Sequence, residues 1–145
     1  MTATSSDPSS NPADSQNLDS AETAQLIQQL RRKEGNWVYW GQACQALRTA
    51  RLSAQEICEA TGFEPIQQNQ LIVASQVFTS MEAGGVSDAT KAHYQTRGSD
   101  SLYEFRIISQ ENRAAAADFA FSHRLDSEQV KDIAKALRDF HYSET

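Results

Sequence analysis

The residues best suited to chemistry in this 145-residue chain are three histidines and two cysteines. They are His93, His123, His141, Cys44 and Cys58. No two histidines stand four positions apart and none lies near a cysteine, so the spacing does not fit a metal site. Cys44 falls on the apolar face of a predicted helix, where burial keeps a thiol protonated and unreactive. We therefore predict no metal, no cofactor, no enzymatic activity, and two free, reduced cysteines.

One basic cluster, Arg31, Arg32 and Lys33, closes the first predicted helix. Cations at a helix C-terminus interact favourably with the helix dipole, by about 0.3–1 kcal/mol, and this alone explains the cluster. The alternative is a contact with an acidic patch on a partner protein. The three residues are therefore candidate partner-binding residues.

The elements that must position these side chains are all predicted to be helices. Capping boxes at Asp19 with Glu22, Ser53 with Glu56, and Asp126 with Gln129 mark three helix starts. Asn36 and Pro65 mark two more. The predicted helices cover about 20–34, 36–51, 53–61, 65–83, 88–96, 100–109, 110–124 and 126–142. No segment alternates like a strand for more than four residues, so we predict an all-α, compact multi-helix bundle.

The first 17 residues contain no Leu, Ile, Val or aromatic residue. We predict a disordered tail over 1–18 and a folded domain over 19–142, because such a segment cannot bury enough apolar surface to order itself. The net charge of −6 lies partly in this tail, and the mildly acidic remainder argues weakly against nucleic acid as a partner. Without an apolar run long enough to span a bilayer, and without the features of a signal or transit peptide, the sequence predicts a cytoplasmic protein of bacterial type with no membrane association.

The helix predicted over 65–83 carries an uncharged face. Placing its residues at helical spacing assigns most apolar side chains to the core: Ile66, Leu71, Val73, Ala74, Val77, Phe78 and Met81. The opposite face holds Gln68, Asn69, Ser75, Gln76, Thr79 and Ser80, with Ile72 among them. This face is either a neutral surface or a docking face for a protein, with Gln68, Ile72 and Gln76 as candidate contacts. In the second case, Ile72→Asp should leave the fold intact and weaken partner binding.

The third and fourth predicted helices, joined by the turn Thr61–Pro65, have the form of a helix-turn-helix unit. Gln67, Gln68 and Asn69 could in principle bind adenine edges. However, no Lys or Arg stands between Pro65 and Ser80, so the attraction to phosphate that dominates DNA affinity is missing. A protein-docking version of the motif is favoured, while a DNA-binding regulator and a generic helical adaptor stay as alternatives.

The helix predicted over 110–124 carries Phe119 and Phe121 on nearly opposite faces. Either other helices sandwich it or one phenylalanine is exposed for a partner. The sandwich is the favoured expectation.

The segment Leu26–Met81 resembles the beginning of the Rubisco accumulation factors of cyanobacteria and chloroplasts. The likeness is most specific in Leu30–Trp40 and in the Thr61–Pro65 turn. It continues in the run Asp100–Arg106 and in the alanine-rich run Arg113–Phe121.

The resemblance implies an assembly chaperone. Proteins of that family bind Rubisco large subunits, hold them as dimers and promote assembly of the octameric core before small subunits displace the chaperone. They pair an N-terminal helical domain, which embraces the large subunit, with a C-terminal β-rich domain that makes the chaperone a homodimer, and they need no cofactor. No segment here fits the β-rich domain, so we expect 19–142 to be the large-subunit-binding domain alone and the chain to be monomeric.

Overall fold

The computed structural model describes the backbone of residues 18–144 and the side chains of residues 18–140. The predicted disordered tail lies outside these residues, except for Leu18. Within the described part the chain forms eight α-helices and two short 3-10 helices and contains no strand, which confirms the all-α prediction. The helices are α1 (Ser20–Arg31), α2 (Trp37–Thr49), α3 (Ala54–Thr61), α4 (Pro65–Ala83), α5 (Asp88–Thr96), α6 (Ser99–Glu104), α7 (Arg113–Ser122) and α8 (Ser127–Glu144), with 3-10 helices over Phe105–Ile107 and Gln110–Asn112.

The predicted helix starts are confirmed by their hydrogen bonds. Asp19 Oδ1 accepts from Glu22 N at 2.7 Å, and Ser53 Oγ accepts from Glu56 N at 3.0 Å. The capping box of Asp126 with Gln129 begins the last helix. The helix ends are less regular: α1 stops at Arg31, and the segments predicted as helices over 100–109 and 110–124 each contain a 3-10 turn.

Four of the helices end in the same hydrogen-bonded motif, in which one residue adopts a left-handed backbone conformation. A glycine takes this position after α4, where Gly85 has φ +83°. The other three positions hold basic residues: Lys33 at φ +52°, Arg51 at φ +78° and Arg124 at φ +53°. A left-handed conformation costs a residue with a Cβ about 1–2 kcal/mol relative to glycine, so these three side chains stand where the backbone alone would favour glycine.

The centre of the fold is α4, which packs against α2, α6 and α7. Its approach to α2 is very close, because a Cβ at Gly41 would lie 2.3 Å from the Leu71 carbonyl oxygen. The Trp37 ring meets Phe78 edge-on at 6.1 Å between centroids, and its indole N–H donates to the Tyr94 carbonyl at 2.6 Å. This contact ties α2, α4 and α5 into one core.

The prediction that α4 buries only one face is wrong. Gln68, Ile72 and Ser75, placed on the outer face from the sequence, are 0%, 8% and 3% exposed, whereas Ile66, assigned to the core, is 82% exposed. A helix that is covered from several directions buries residues around most of its circumference, so a division into one apolar and one polar face fails for it.

Candidate protein-binding surfaces

Gln68 is part of the core and holds the helix-turn-helix together. Its amide nitrogen donates to the carbonyl oxygens of Ala54 at 3.0 Å and Phe63 at 2.6 Å. Its Oε1 accepts from Arg48 Nε at 3.1 Å. The expected exposure of Gln68 and of Ile72 is therefore wrong, and neither is available as a surface contact in this fold.

The three amide side chains considered as contacts for DNA bases are all hydrogen-bonded within the protein. Asn69 Oδ1 accepts from Arg48 Nη2 at 3.0 Å, and Gln67 Oε1 accepts from the Glu64 backbone N–H at 3.3 Å. Together with the burial of Gln68, these bonds leave the start of α4 poorly suited to contact base edges in a groove.

Gln76 is exposed and lies in a polar groove between α2, α4 and α7, whose one charged lining residue is Arg113. The groove, of about 460 Å³, is lined by Gln42, Gln45, Ser75, Gln76, Thr79, Ser80, Gln110 and Arg113. The guanidinium of Arg113 is hydrogen-bonded within the fold. It donates to the carbonyls of Phe105 at 3.2 Å and Arg106 at 3.1 Å and to Ser80 Oγ at 3.0 Å. Burial lowers the pKa of the Arg113 guanidinium. A polar, largely neutral face of α4 therefore exists, centred on Gln76.

The basic cluster at the end of α1 is exposed, as a binding role would require. Arg32 lies 3.7 Å from Glu34 across an exposed ion pair, and Lys33 Nζ lies 4.8 Å from the centre of the Phe63 ring. The backbone carbonyl of Phe63 accepts a hydrogen bond from the Gln68 side chain, so the structure brings Lys33 and Gln68 to the same turn. Gln76 lies two helical turns further along α4 and belongs to a separate surface.

The two cysteines are free, as predicted. Cys44 is buried, and burial raises the pKa of its thiol to about 11 against the opposing effect of Arg48. Cys58 is half-buried. Among the residues that the structure describes, no group of three or more His, Cys, Asp or Glu is arranged to bind a metal ion. The side chain of His141 lies outside that part.

A cleft between α5 and α7 was not predicted from the sequence. Its volume is about 470 Å³, and it is lined by His93, Tyr94, Ala120, Phe121, Ser122, Arg124 and Leu125. The His93 ring lies edge-on to Tyr94 at 4.8 Å and tilted against Phe121 at 5.0 Å. The pKa of His93 is lowered, first by burial and then by the positive charges of Arg97 and Arg124. In the sequence, the only trace of this cleft is a pair of basic residues, Arg97 after α5 and Arg124 after α7.

The expected sandwiching of α7 is wrong. Phe119 is 45% exposed and stacks on His123, with 4.1 Å between ring centroids, while Phe121 is half-buried beside His93. Because α7 consists largely of alanine, it lies close against α4 through Ala114 and its neighbours and leaves its larger side chains at the surface.

No helix within residues 18–144 is both long enough and apolar enough to cross a lipid bilayer.

The fold and these surfaces define an all-helical module built around a helix-turn-helix unit, with polar and cationic surfaces suited to protein contacts. Residues 22–82 match the Rubisco accumulation factor 1 helix turn helix domain, and residues 94–145 match the Rubisco accumulation factor 1 alpha helical domain. The chain belongs to the Rubisco accumulation factor 1 family.

Relatives from cyanobacteria and plants support this assignment. The chain is 55% identical to RuBisCO accumulation factor 1 of Nostoc sp. over 116 residues, which are 80% of this chain and 32% of the relative. It is 46% identical to RuBisCO accumulation factor 1 of Synechococcus elongatus over 123 residues, 85% of this chain and 35% of that protein. Rubisco accumulation factor 1.1, chloroplastic, of Arabidopsis thaliana is 33% identical over 121 residues, 83% of this chain and 28% of the relative. The chain therefore spans about a third of the length of these proteins.

Proposed function

We propose that this chain is the helical part of a Rubisco assembly chaperone. In this role it binds the Rubisco large subunit and promotes assembly of the large-subunit core, before small subunits displace it. The observation that carries the proposal is the match to both helical domains of the Rubisco accumulation factor 1 family, over residues 22–82 and 94–145. The accumulation factors named above supply the link to Rubisco.

The proposed activity is binding without chemistry. It needs no metal or nucleotide, and the most protected thiol, Cys44, has its pKa raised by burial rather than lowered towards reactivity. We place the protein in the cytoplasm of a cell of cyanobacterial type, in keeping with the relatives from Nostoc and Synechococcus.

The exposed candidates for this contact are Gln76, in its polar groove, and the cluster Arg31, Arg32 and Lys33. The groove offers amide donors and acceptors that suit a polypeptide backbone or polar side chains. The cluster offers positive charge, although part of it is already paired because Arg32 forms an ion pair with Glu34. We propose both as parts of the large-subunit contact.

The alternatives are a DNA-binding regulator and a generic helical adaptor. The engaged amides of Gln67, Gln68 and Asn69 and the absence of Lys and Arg between Pro65 and Ser80 speak against the regulator. The adaptor differs from the chaperone only in its partner, so a binding experiment separates them.

The test is capture of Rubisco large-subunit cores that lack small subunits by this chain, followed by addition of small subunits. The proposal expects capture that small subunits reverse. A monomeric fragment should bind weakly, so the experiment includes a version of the chain fused to a dimeric coiled coil, whose second contact benefits from a high effective concentration. If neither the free chain nor the forced dimer captures the cores, the proposal is wrong. Sedimentation of the free chain checks the expectation that it is a monomer.

A further inference from the structure

The cleft between α5 and α7 combines aromatic walls with the positive charge of an arginine. Its lining contains His93, Tyr94 and Phe121 but no carboxylate. Arg124 belongs to the lining, and the charge of Arg97 acts on the same imidazole. Neither arginine takes part in an ion pair within the described residues. In a chain of net charge −6, this is a local positive site beside an apolar one.

Arg124 stands at a position where the backbone favours glycine. It terminates α7 with φ +53°, its N–H donating to Phe121 O at 3.1 Å and the next N–H, of Leu125, donating to Ala120 O at 3.0 Å. The same motif after α4 uses Gly85. A strained backbone conformation that carries an exposed charge is a reason to look for a function of that charge.

The nearest acidic side chain on α7 does not neutralise the cleft, because it is committed elsewhere. Asp118 Oδ1 accepts from Thr90 Oγ1 at 2.6 Å and from Ser87 Oγ at 2.9 Å. These bonds hold the start of α5 against α7. Asp100 is the nearby carboxylate on α6, and its charge acts on Tyr94. Neither Asp118 nor Asp100 forms an ion pair with Arg97 or Arg124 within the described residues, so both arginines can still pair with a group from outside the chain.

We infer that this cleft binds an acidic polypeptide segment that carries an apolar side chain next to its carboxylates. The apolar side chain lies against Tyr94 and Phe121, and the carboxylates face Arg97 and Arg124. The small number of charges favours an acidic polypeptide over a nucleic acid, since two arginines in an acidic chain are too few to bind a phosphate backbone. Assigning the segment to the Rubisco large subunit rests on the proposed function, whereas the chemistry of the cleft does not.

The chain offers a matched control for Arg124. Arg51 also follows a helix in a left-handed conformation, with φ +78°, is also exposed and also precedes a leucine in the same hydrogen-bonded motif. No cleft among those described is lined by Arg51. Arg124→Gln and Arg51→Gln therefore remove the same charge from the same backbone setting, and we expect both variants to keep the fold because both side chains are exposed.

The first test is an NMR titration of the whole chain with the capped peptide Asp-Glu-Leu-Glu-Asp, monitored at the His93 ring. We expect saturable shifts at His93, binding about fivefold weaker for Arg124→Gln, and binding within about twofold of the parent chain for Arg51→Gln. The amide peptide Asn-Gln-Leu-Gln-Asn should not shift His93. The inference is overturned if His93 does not respond, if both variants lose affinity equally, if the amide peptide binds as well, or if a single-stranded oligonucleotide shifts His93 at lower concentration.

The second test repeats the capture of large-subunit cores with the forced dimers of both variants. Reduced capture by Arg124→Gln, with Arg51→Gln unchanged, supports the assignment of the segment to the large subunit. If the parent chain captures cores and the two variants capture them equally, that assignment is wrong while the proposed function stands. If the parent chain captures nothing, the proposed function fails, and the peptide titration alone decides whether the cleft binds acidic segments.

Discussion

The contact of α2 with α4 and the contact of α5 with α7 are built in opposite ways. At the first, Gly41 lets two helix backbones nearly touch, and the polar side chains of Gln68 and Ser75 are buried and satisfied. At the second, a hydrogen-bonded carboxylate at the surface joins the helices, and a cleft with His93 and Arg124 stays open beside it. At the first contact the polar groups serve the fold, whereas at the second Asp118 does so and Arg124 forms no ion pair within the described residues. Substitutions at the first should therefore change stability.

The largest effect is expected for Ile72→Asp. Ile72 is 8% exposed in the core around α4, so the carboxylate would be buried without a partner, and the free energy of unfolding should fall by at least about 3 kcal/mol. This reverses the expectation from the sequence that the variant stays folded. Urea unfolding followed by circular dichroism measures the effect.

Gln76→Asp is the control for this prediction, because it places the same carboxylate one turn further along α4 at an exposed position. Its stability should stay within about 0.5 kcal/mol of the parent chain. Equal stabilities of the two variants would show that Ile72 is at the surface and would restore the docking face inferred from the sequence.

The next effect is expected for Gly41→Ala. The added Cβ would lie 2.3 Å from the Leu71 carbonyl oxygen, so α2 and α4 must move apart, at a cost of about 2–3 kcal/mol. Gly85→Ala adds the same methyl group in open space at φ +83°, where only the backbone conformation opposes it, at about 1 kcal/mol. Thermal unfolding of both variants measures the difference. If Gly85→Ala is the more destabilising of the two, steric closeness is not what Gly41 provides.

A smaller loss is expected for Gln68→Ala. The variant leaves the buried carbonyl of Phe63 and the half-buried carbonyl of Ala54 without their amide donor, and the free energy of unfolding should fall by about 2 kcal/mol. Gln76→Ala, on the exposed side of the same helix, should be nearly neutral. Chemical denaturation distinguishes the two, and a neutral Gln68→Ala would show that the amide does not hold the turn.

How well the sequence predicted each region follows from the range of the interactions involved. Capping boxes such as Ser53 with Glu56 are local, and they located the helix starts correctly. The burial of Gln68 and Ile72 depends on which helices surround α4, and a single helix pattern does not contain that information. Gly41 was the available signal, since a glycine inside a helix suggests a close backbone approach. The cleft beside His93 is assembled from α5 and α7, which are distant in sequence, so spacing alone did not reveal it.

The smallest expected effect concerns Asp118, which joins α5 to α7. Its pKa is lowered from 3.8 chiefly by the hydrogen bond from Thr90 and further by those from Ser87, against the opposing effect of burial. A carboxyl group whose pKa is lower in the folded state stabilises the protein above its unfolded pKa, and this stabilisation is lost as the pH falls through the folded pKa. Between about pH 5 and pH 2, stability should therefore fall less steeply with decreasing pH in Asp118→Asn than in the parent chain. Urea unfolding across this range measures the slope. Thr90→Val should move the Asp118 pKa upward, as NMR titration of the carboxyl group would show, and an unchanged pKa would mean that the bond from Thr90 is not what lowers it.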